Sequence, residues 1–499
     1  MGRGCTDGGF GRTSSARRSQ PPEWPKEAVQ AKTHPTLLGR VTLYTALSHG
    51  SDMFIVRGRF VVTVDDFNRV LRDGAVVVED NRIVDVGYFG DLKKKHRCDT
   101  VIGDEWKIVL PGLVNCHYHS REQLSQTMFP DGHGETTWFN NYCLPYHAAL
   151  TPEEEKTAFK LALYAMALNG VTTFADGGLL YPSSSLETLN EVPLRCLTST
   201  WCWDRADIIP KTTDEAFKEL THLHHELNGG YGGRLSICAT PISVTTCSEN
   251  LLRQVVEWAR ENGVKTFIHV SSFREEVEKT LSSWGVTPVQ YLSEHGLLNR
   301  DVNILHGIHL SMDDVERLVA SGAGVVSCPY SSLKKGKGLS VSGVFPELLE
   351  RGVRVGLGGD GAPSAQHVDM LRTLSLFTGL CRDMRMNASL PLAKDAVRAV
   401  TSTAADLLGL GNQIGSLEKG KKADIILLDM RGPDFTPLRD VFQALVFSAT
   451  GAAVDTVIVD GRVVVEGRKV KGVDAEKLVK ESEIAAENVA ERLGLQRPM

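Results

Sequence analysis

The stretch Pro-Gly-Leu-Val-Asn-Cys-His-Tyr-His at residues 111–119 decides the fold of this chain. It predicts a buried apolar strand, residues 108–114, that ends in the two histidines His117 and His119. Residues two apart in an extended strand point to the same face. Both imidazoles are therefore expected to project together from one strand end, as two ligands of one metal ion do. A pair of ordinary half-buried histidines is the alternative at this point.

Length and composition limit the classes of protein to consider. The 499 residues suffice for one large α/β barrel with a smaller domain, or for three ordinary domains. The hydrophobic content of 42% and charged content of 23% are typical of a soluble globular protein. A net charge of -6 gives no electrostatic footprint for nucleic acid, and no stretch is apolar enough to span a membrane. The ten cysteines include no C-x-x-C pair, so we expect reduced thiols and a cytoplasmic protein.

The order of β and helical patterns predicts two folded units. Short β segments at both ends of the chain, residues 51–110 and 412–471, predict one small β-sandwich domain formed from the N- and C-terminal segments. Over residues 107–411, eight strand candidates alternate with helices, which predicts an α/β fold of the (β/α)8 TIM barrel type. Residues 1–50 are rich in Gly, Ser, Arg and Pro and predict a partly disordered extension. Residues 472–499 predict a C-terminal helix.

Three further apolar strands end in residues that commonly bind metals. His269 ends the fifth predicted strand, His306 the sixth, and Asp360 the eighth. A lone histidine at a strand end is more often structural than a ligand. In a barrel, however, the C-terminal strand ends meet at one face, so these residues are expected to converge with the first pair. The sequence therefore predicts a metal site at this face.

Four motifs make the chain resemble the amidohydrolase superfamily, in its branch of chlorohydrolases, cytosine and guanine deaminases and adenosylhomocysteine deaminases. The motifs are residues 111–119, Gly-Val-Thr-Thr at 170–173, Gly-Leu-Gly-Gly-Asp-Gly at 356–361, and the segment 414–424. The resemblance covers about residues 53–470, nearly all of the foldable chain.

The resemblance implies a role for each strand-end residue. His117, His119, His269 and Asp360 are then the metal ligands, and His306 helps to polarise the substrate or orient the water. A divalent ion lowers the pKa of its water from about 15.7 toward about 7. Asp360 would take a proton from that water and pass it to the leaving group.

The same resemblance bears on the number and kind of metal ions. Relatives with two metals bridge them with a carboxylated lysine on the fourth strand, but residues 235–241 contain no lysine. One divalent ion is therefore expected. Zn²⁺ is the preferred ion, and Fe²⁺ or Co²⁺ is also compatible with mixed His and Asp ligands.

The substrate-reading residues depart from the deaminase pattern. Deaminases of this branch have a glutamate three residues after the fifth-strand histidine, and it carries a proton to a ring nitrogen. Ser272 stands at that position here, and serine is not a general acid at neutral pH. Glu275 and Glu276 follow, and their position predicts the solvated start of a helix. Ser327 stands where relatives often have a seventh-strand histidine.

The loop after the first strand supplies further candidate substrate-binding residues. His133, Trp138 and Phe139 lie there, where barrel enzymes shape their substrate pockets. Together with Ser272 and Ser327 they form the predicted substrate-binding set. Ordinary loop packing is the alternative for the three loop residues.

An intact ligand set without the proton-carrying glutamate favours one reaction class. A metal ion polarises the carbonyl of an amide, urea, carbamate or thiocarbamate directly, so we expect hydrolysis of a C–N or C–S bond in such a small substrate. The first alternative is an aminohydrolase, a deaminase or dechlorinase of a pyrimidine, purine or triazine. The second is a non-catalytic scaffold on the same fold. We expect a small-molecule substrate, no nucleic-acid or membrane partner, and a homodimer or homotetramer.

Overall fold

The computed structural model describes residues 53–206 and 209–495, so the predicted extension over residues 1–50 lies outside the described residues. The strands are β1 (Met53–Val62), β2 (Val70–Glu79), β3 (Arg82–Tyr88), β4 (Val101–Ile102), β5 (Lys107–Pro111), β6 (Leu113–His119), β7 (Val171–Asp176), β8 (Arg195–Thr198), β9 (Leu235–Ile237), β10 (Thr266–Val270), β11 (Val302–His306), β12 (Gly324–Ser327), β13 (Val355–Leu357), β14 (Asp360–Gly361), β15 (Ile425–Asp429), β16 (Val454–Val459), β17 (Arg462–Glu466) and β18 (Lys469–Val470).

The α-helices are α1 (Phe89–Lys95), α2 (Glu135–Trp138), α3 (Leu144–Ala149), α4 (Pro152–Leu168), α5 (Pro182–Leu186), α6 (Thr213–Leu227), α7 (Gly230–Gly233), α8 (Glu249–Glu261), α9 (Arg274–Trp284), α10 (Pro288–Glu294), α11 (Met312–Ser321), α12 (Pro329–Lys334), α13 (Leu339–Ser342), α14 (Phe345–Glu350), α15 (Ala362–Ala365), α16 (Met370–Met384), α17 (Ala393–Ala396), α18 (Ser402–Leu407), α19 (Val441–Phe447) and α20 (Ala475–Arg492). A π-helical turn spans Phe139–Cys143, and 3-10 helices span Ser120–Ser125, Glu187–Asn190, Val397–Val400, Pro433–Phe435 and Gly451–Ala453.

Strands from both ends of the chain form one mixed sheet. Its order is β18-β17-β16-β15-β5-β1-β2-β3, and β4 pairs with β1. The two ends of the chain meet where β15 runs antiparallel to β5, with Ile425 opposite Pro111. Apolar residues of this sheet, among them Val77, Val109 and Ile458, are fully buried in a cluster of their own. The small β domain is therefore built from N- and C-terminal segments, as the sequence predicts.

The parallel strands between these segments close into a barrel. The first four are β6, β7, β8 and β9, and the next four are β10 to β13 in sequence order. The chain continues from β13 into β14, which pairs with β6 so that Asp360 lies opposite Tyr118. An isolated parallel bridge between Ser243 and His269 joins the fourth and fifth strands. The ring of strands confirms the (β/α)8 barrel, whose C-terminal strand ends share one face.

The decisive stretch crosses from the small sheet into the barrel, where the sequence had predicted a single strand. The strand is divided at Gly112, because β5 belongs to the small sheet and β6 is the first barrel strand. A side chain at Gly112 would overlap Thr172, so only glycine fits at this crossing. His117 and His119 stay two apart on β6, and both are buried.

Helices pack around the barrel and begin where the capping residues predict. Thr151 accepts a hydrogen bond from the N–H of Glu154 at the start of α4, and Ser248 and Ser311 cap α8 and α11 in the same way. The C-terminal helix α20 reaches back to α4, where Arg492 pairs with Glu154. Within the described ranges, no helix has both the length and the apolar character that crossing a bilayer requires.

Candidate metal centre

Four histidines and one aspartate converge at the C-terminal face of the barrel. Ligand atoms of His117, His119 and Asp360 lie within 4.8 Å of one another, as do those of His117, His269 and His306. Oδ1 of Asp360 is 3.6 Å from Nε2 of His117 and 3.5 Å from Nε2 of His119. The structure thus brings together all five residues that the sequence placed at strand ends.

The protonation states of these groups suit a cation. Burial lowers the pKa of His269 to about 3, with a further contribution from His117, and lowers the pKa values of His119 and His306 well below the usual range. Burial alone would raise the pKa of Asp360, but the neighbouring His117 imidazole and the charges of other neighbours hold it well below its usual range. At neutral pH His119, His269 and His306 are therefore neutral imidazoles and Asp360 is a carboxylate, the forms that bind a metal ion.

Hydrogen bonds orient the ligand atoms. Nδ1 of His269 lies 2.9 Å from the carbonyl oxygen of Ile242, which leaves Nε2 facing the cluster. Oδ2 of Asp360 accepts a hydrogen bond from the Ser331 hydroxyl at 2.5 Å. Within the described part of the chain, the buried atom Nε2 of His117, which lies beside Asp360, has no hydrogen-bond partner. An unpartnered imidazole nitrogen beside a carboxylate fits a divalent cation, and it would be unfavourable without one.

Two of the cluster residues have positive φ angles, which residues other than glycine rarely adopt. The φ angle is 59° at Asp360 and 69° at His306. Such positions cost about 1–3 kcal/mol each and tend to occur at functional sites. The turns after β11 and β13 are thus shaped to aim these two side chains into the barrel mouth.

A lysine that the sequence reading missed also lies in this site. Lys337 is buried, and its Nζ lies 3.8 Å from Oδ2 of Asp360. Its charge also contributes to the low pKa of His306 and partly opposes the raised pKa of Glu276. In the sequence, Lys337 follows Lys334 and Lys335 in a basic run typical of a solvated loop, so no local signal separated it from its neighbours.

Glu276 corrects the prediction of a solvated helix start. It is only 4% exposed, whereas Glu275 beside it is exposed. Oε2 of Glu276 accepts a hydrogen bond of 2.8 Å from the N–H of Ser272. Burial raises the pKa of Glu276 to about 7, although the hydrogen bonds from Ser272 and Ser271 act in the opposite direction. A carboxyl group that is partly protonated at neutral pH therefore lies directly behind the serine that replaces the usual acid.

The other predicted substrate-binding residues differ in their surroundings. Trp138 is buried, with Nζ of Lys335 at 4.1 Å from its ring centre, and Phe139 is half-buried beside it. Ser327 is buried at the end of β12. Nε2 of His133 lies 3.2 Å from the hydroxyl of Tyr142, and no hydrogen bond within the described residues joins His133 to the histidine cluster. Contact with a substrate stays a prediction for all of them.

These features define a class of protein: a (β/α)8 barrel with a cluster of His and Asp side chains, suited to a divalent ion, at its C-terminal face. The sequence profile of the amidohydrolase family matches residues 108–464. The chain belongs to the amidohydrolase family. It is a metal-dependent hydrolase of C–N bonds other than peptide bonds.

Two curated relatives match almost the whole chain. The 5-methylthioadenosine/S-adenosylhomocysteine deaminase of Pelotomaculum thermopropionicum is 33% identical over 444 residues, 88% of this chain and 99% of that protein. The 5'-deoxyadenosine deaminase of Methanosarcina mazei is 30% identical over 446 residues, with the same coverage of 88% and 99%.

A solved structure confirms the fold. An adenosine deaminase from Xanthomonas campestris with bound zinc superposes with a TM-score of 0.83 and 24% identity, covering 88% of this chain and 98% of that one. At this identity the similarity concerns the fold alone.

Proposed function

We propose that this protein is a zinc-dependent aminohydrolase that removes the exocyclic amino group from an adenine-type nucleoside as ammonia. The observation that carries the proposal is the buried Glu276 carboxyl, which accepts a hydrogen bond from the backbone N–H of Ser272, three residues after His269. Glu276 supplies a protonated group in place of the acid that is missing at Ser272. The sequence had favoured amide or urea hydrolysis because that acid is missing. The similarity to two nucleoside deaminases over 88% of the chain supports the same choice.

The metal centre would be formed by His117, His119, His269 and Asp360. Zn²⁺ suits three imidazoles and one carboxylate, and when bound it acts as a Lewis acid that lowers the pKa of water. A ligand atom of His306 lies within 4.8 Å of those of His117 and His269, so His306 would help to polarise the substrate. The remaining steps belong to side chains of the chain itself.

Asp360 and Glu276 would divide the proton transfers. Asp360 is ionised, so it accepts a proton from the attacking water and later donates it to the departing amino nitrogen. Glu276 is partly protonated at neutral pH and supplies the proton that the ring nitrogen needs as the water oxygen adds to the neighbouring carbon. The carbon–nitrogen bond then breaks and ammonia leaves. The newly added hydroxyl group then loses its proton to the Glu276 carboxylate, so Glu276 is protonated again as it was before the reaction.

Ser272 would connect Glu276 to the substrate. Among the described residues, the hydroxyl of Ser272 and Oε1 of Glu276 are both buried without a hydrogen-bond partner. Both atoms lie at one turn of the chain, since the Ser272 N–H binds the other oxygen of Glu276. The serine hydroxyl accepts and donates, so it can pass a proton that serine itself could not supply.

A substrate panel tests the proposal. Purified protein loaded with Zn²⁺ is incubated with adenosine, 5'-methylthioadenosine, S-adenosylhomocysteine and 5'-deoxyadenosine, and separately with phenylurea and thiocarbamate substrates. We expect ammonia release from the nucleosides, together with the ultraviolet change that accompanies conversion of an aminated purine into its oxo form. Cleavage of a urea or thiocarbamate without ammonia release from any aminated ring would contradict the proposal. It would support the hydrolysis of a carbonyl C–N or C–S bond, which the sequence alone favoured.

A further inference from the structure

A second group of metal-binding side chains lies beside the barrel mouth. Glu122, Cys143 and His147 each offer one ligand atom, these atoms lie within 4.8 Å of one another, and all three residues are buried. We propose that these three residues bind a second divalent ion, of the Zn²⁺ class, at a site distinct from the His117–Asp360 centre.

Local structure explains how the three side chains meet. Glu122 lies in the 3-10 helix Ser120–Ser125, directly after the histidines of β6. Cys143 ends the π-helical turn, and His147 follows four residues later in α3, so both side chains point from the same face of one helical segment. The loop after the first strand thus folds back and closes over Glu122.

Two distances from the Glu122 carboxylate are close to those around a tetrahedral ion, and Sγ of Cys143 lies 3.7 Å from Nδ1 of His147. Oε1 of Glu122 lies 3.3 Å from Nε2 of His147 and 3.7 Å from Sγ of Cys143. Zinc bonds of about 2.0–2.3 Å in tetrahedral geometry place neighbouring ligand atoms roughly 3.3–3.6 Å apart. Thiolate, imidazole and carboxylate together form a set that Zn²⁺ prefers and that Mg²⁺ or Ca²⁺ does not.

Unpartnered atoms point to a missing ligand in this cluster. Within the described ranges, Nε2 of His147 and Oε2 of Glu122 are buried and have no hydrogen-bond partner. Side chains more than nine-tenths buried rarely leave such atoms unpaired, because desolvation is then uncompensated. An ion bound by Oε1 of Glu122 and Nε2 of His147 would give this imidazole nitrogen a partner.

The sulfur ligand makes the proposal testable independently of activity. The five residues of the first centre supply only nitrogen and oxygen, so sulfur ligation would report the second site. Metal-free protein is titrated with Co²⁺ and, separately, loaded with Zn²⁺ and measured by X-ray absorption at the zinc edge. We expect two equivalents of metal per chain, a thiolate-to-cobalt charge-transfer band, and one Zn–S distance near about 2.3 Å.

Matched variants identify the sulfur. Cys143→Ser should abolish the charge-transfer band and reduce binding to one equivalent. Cys328→Ser is the control, because it removes another buried thiol, one whose pKa is affected by Asp360 of the first centre. It should leave the charge-transfer band and the number of bound metal ions unchanged. A wild-type protein that binds one equivalent at saturation, or whose bound zinc has no sulfur neighbour, would overturn the proposal without any variant. Loss of the band in Cys328→Ser alone would also overturn it.

Discussion

Replacing Glu276 by glutamine should stabilise the protein and inactivate it together. Burial raises the pKa of Glu276 from 4.5 to about 7. The folded state therefore binds this proton more tightly than the unfolded chain does. Stability is highest below the unfolded pKa and falls as the pH rises from 4.5 through 7. At about 1.4 kcal/mol per pKa unit, the loss amounts to about 3 kcal/mol above neutral pH.

Glutamine has the same shape and carries no charge. Its side-chain oxygen can accept the hydrogen bond that the Ser272 N–H donates over 2.8 Å to Glu276. Glu276→Gln should therefore be more stable than wild type by about 3 kcal/mol near pH 8 and by less than about 1 kcal/mol near pH 5. Since glutamine cannot donate an acidic proton, kcat for ammonia release should fall by roughly 10²–10⁴.

Urea unfolding followed by circular dichroism at both pH values measures the first effect, and an ammonia assay measures the second. Glu275→Gln is the matched control, because Glu275 is exposed and should change neither quantity. The reasoning fails if Glu276→Gln loses stability near pH 8, or if its advantage is equal at both pH values. Wild-type kcat in this variant would remove Glu276 from the proton pathway.

Three further perturbations test other parts of the structure. His119→Ala should lower the bound metal of the first centre by at least half an equivalent, measured by elemental analysis of protein equilibrated with limiting Zn²⁺. Lys337→Met removes the ammonium at 3.8 Å from Asp360 and should move the acidic limb of the pH–rate profile to higher pH, because that charge lowers the pKa of Asp360. Arg195→Met breaks a buried ion pair with Asp424, whose Oδ1 lies 3.2 Å away, and should cost about 3–5 kcal/mol in a denaturant titration.

Much of the fold followed from patterns that repeat along the chain. Apolar strands alternate with capped helices, so the sequence predicts the barrel. It also predicts where helices begin, such as α4 after its capping residue Thr151. The division of the first strand at Gly112 could not be predicted in this way. Both halves are apolar and extended, and the crossing depends on the overlap with Thr172, which lies 60 residues away in the sequence and next to Gly112 in space.

The metal residues were predictable because each one ends a strand, and a barrel brings strand ends together regardless of the loops. Lys337 and Glu122 lie beyond strand ends, where loop conformation decides which way a side chain points, and both stand in polar runs of the sequence. Glu276 shows the same limit most clearly. A motif with fixed spacing expects the acid three residues after His269, at Ser272. The first turn of α9 brings a residue four positions later back to the backbone of that serine, so the acid returns to the site from a position that the motif does not include.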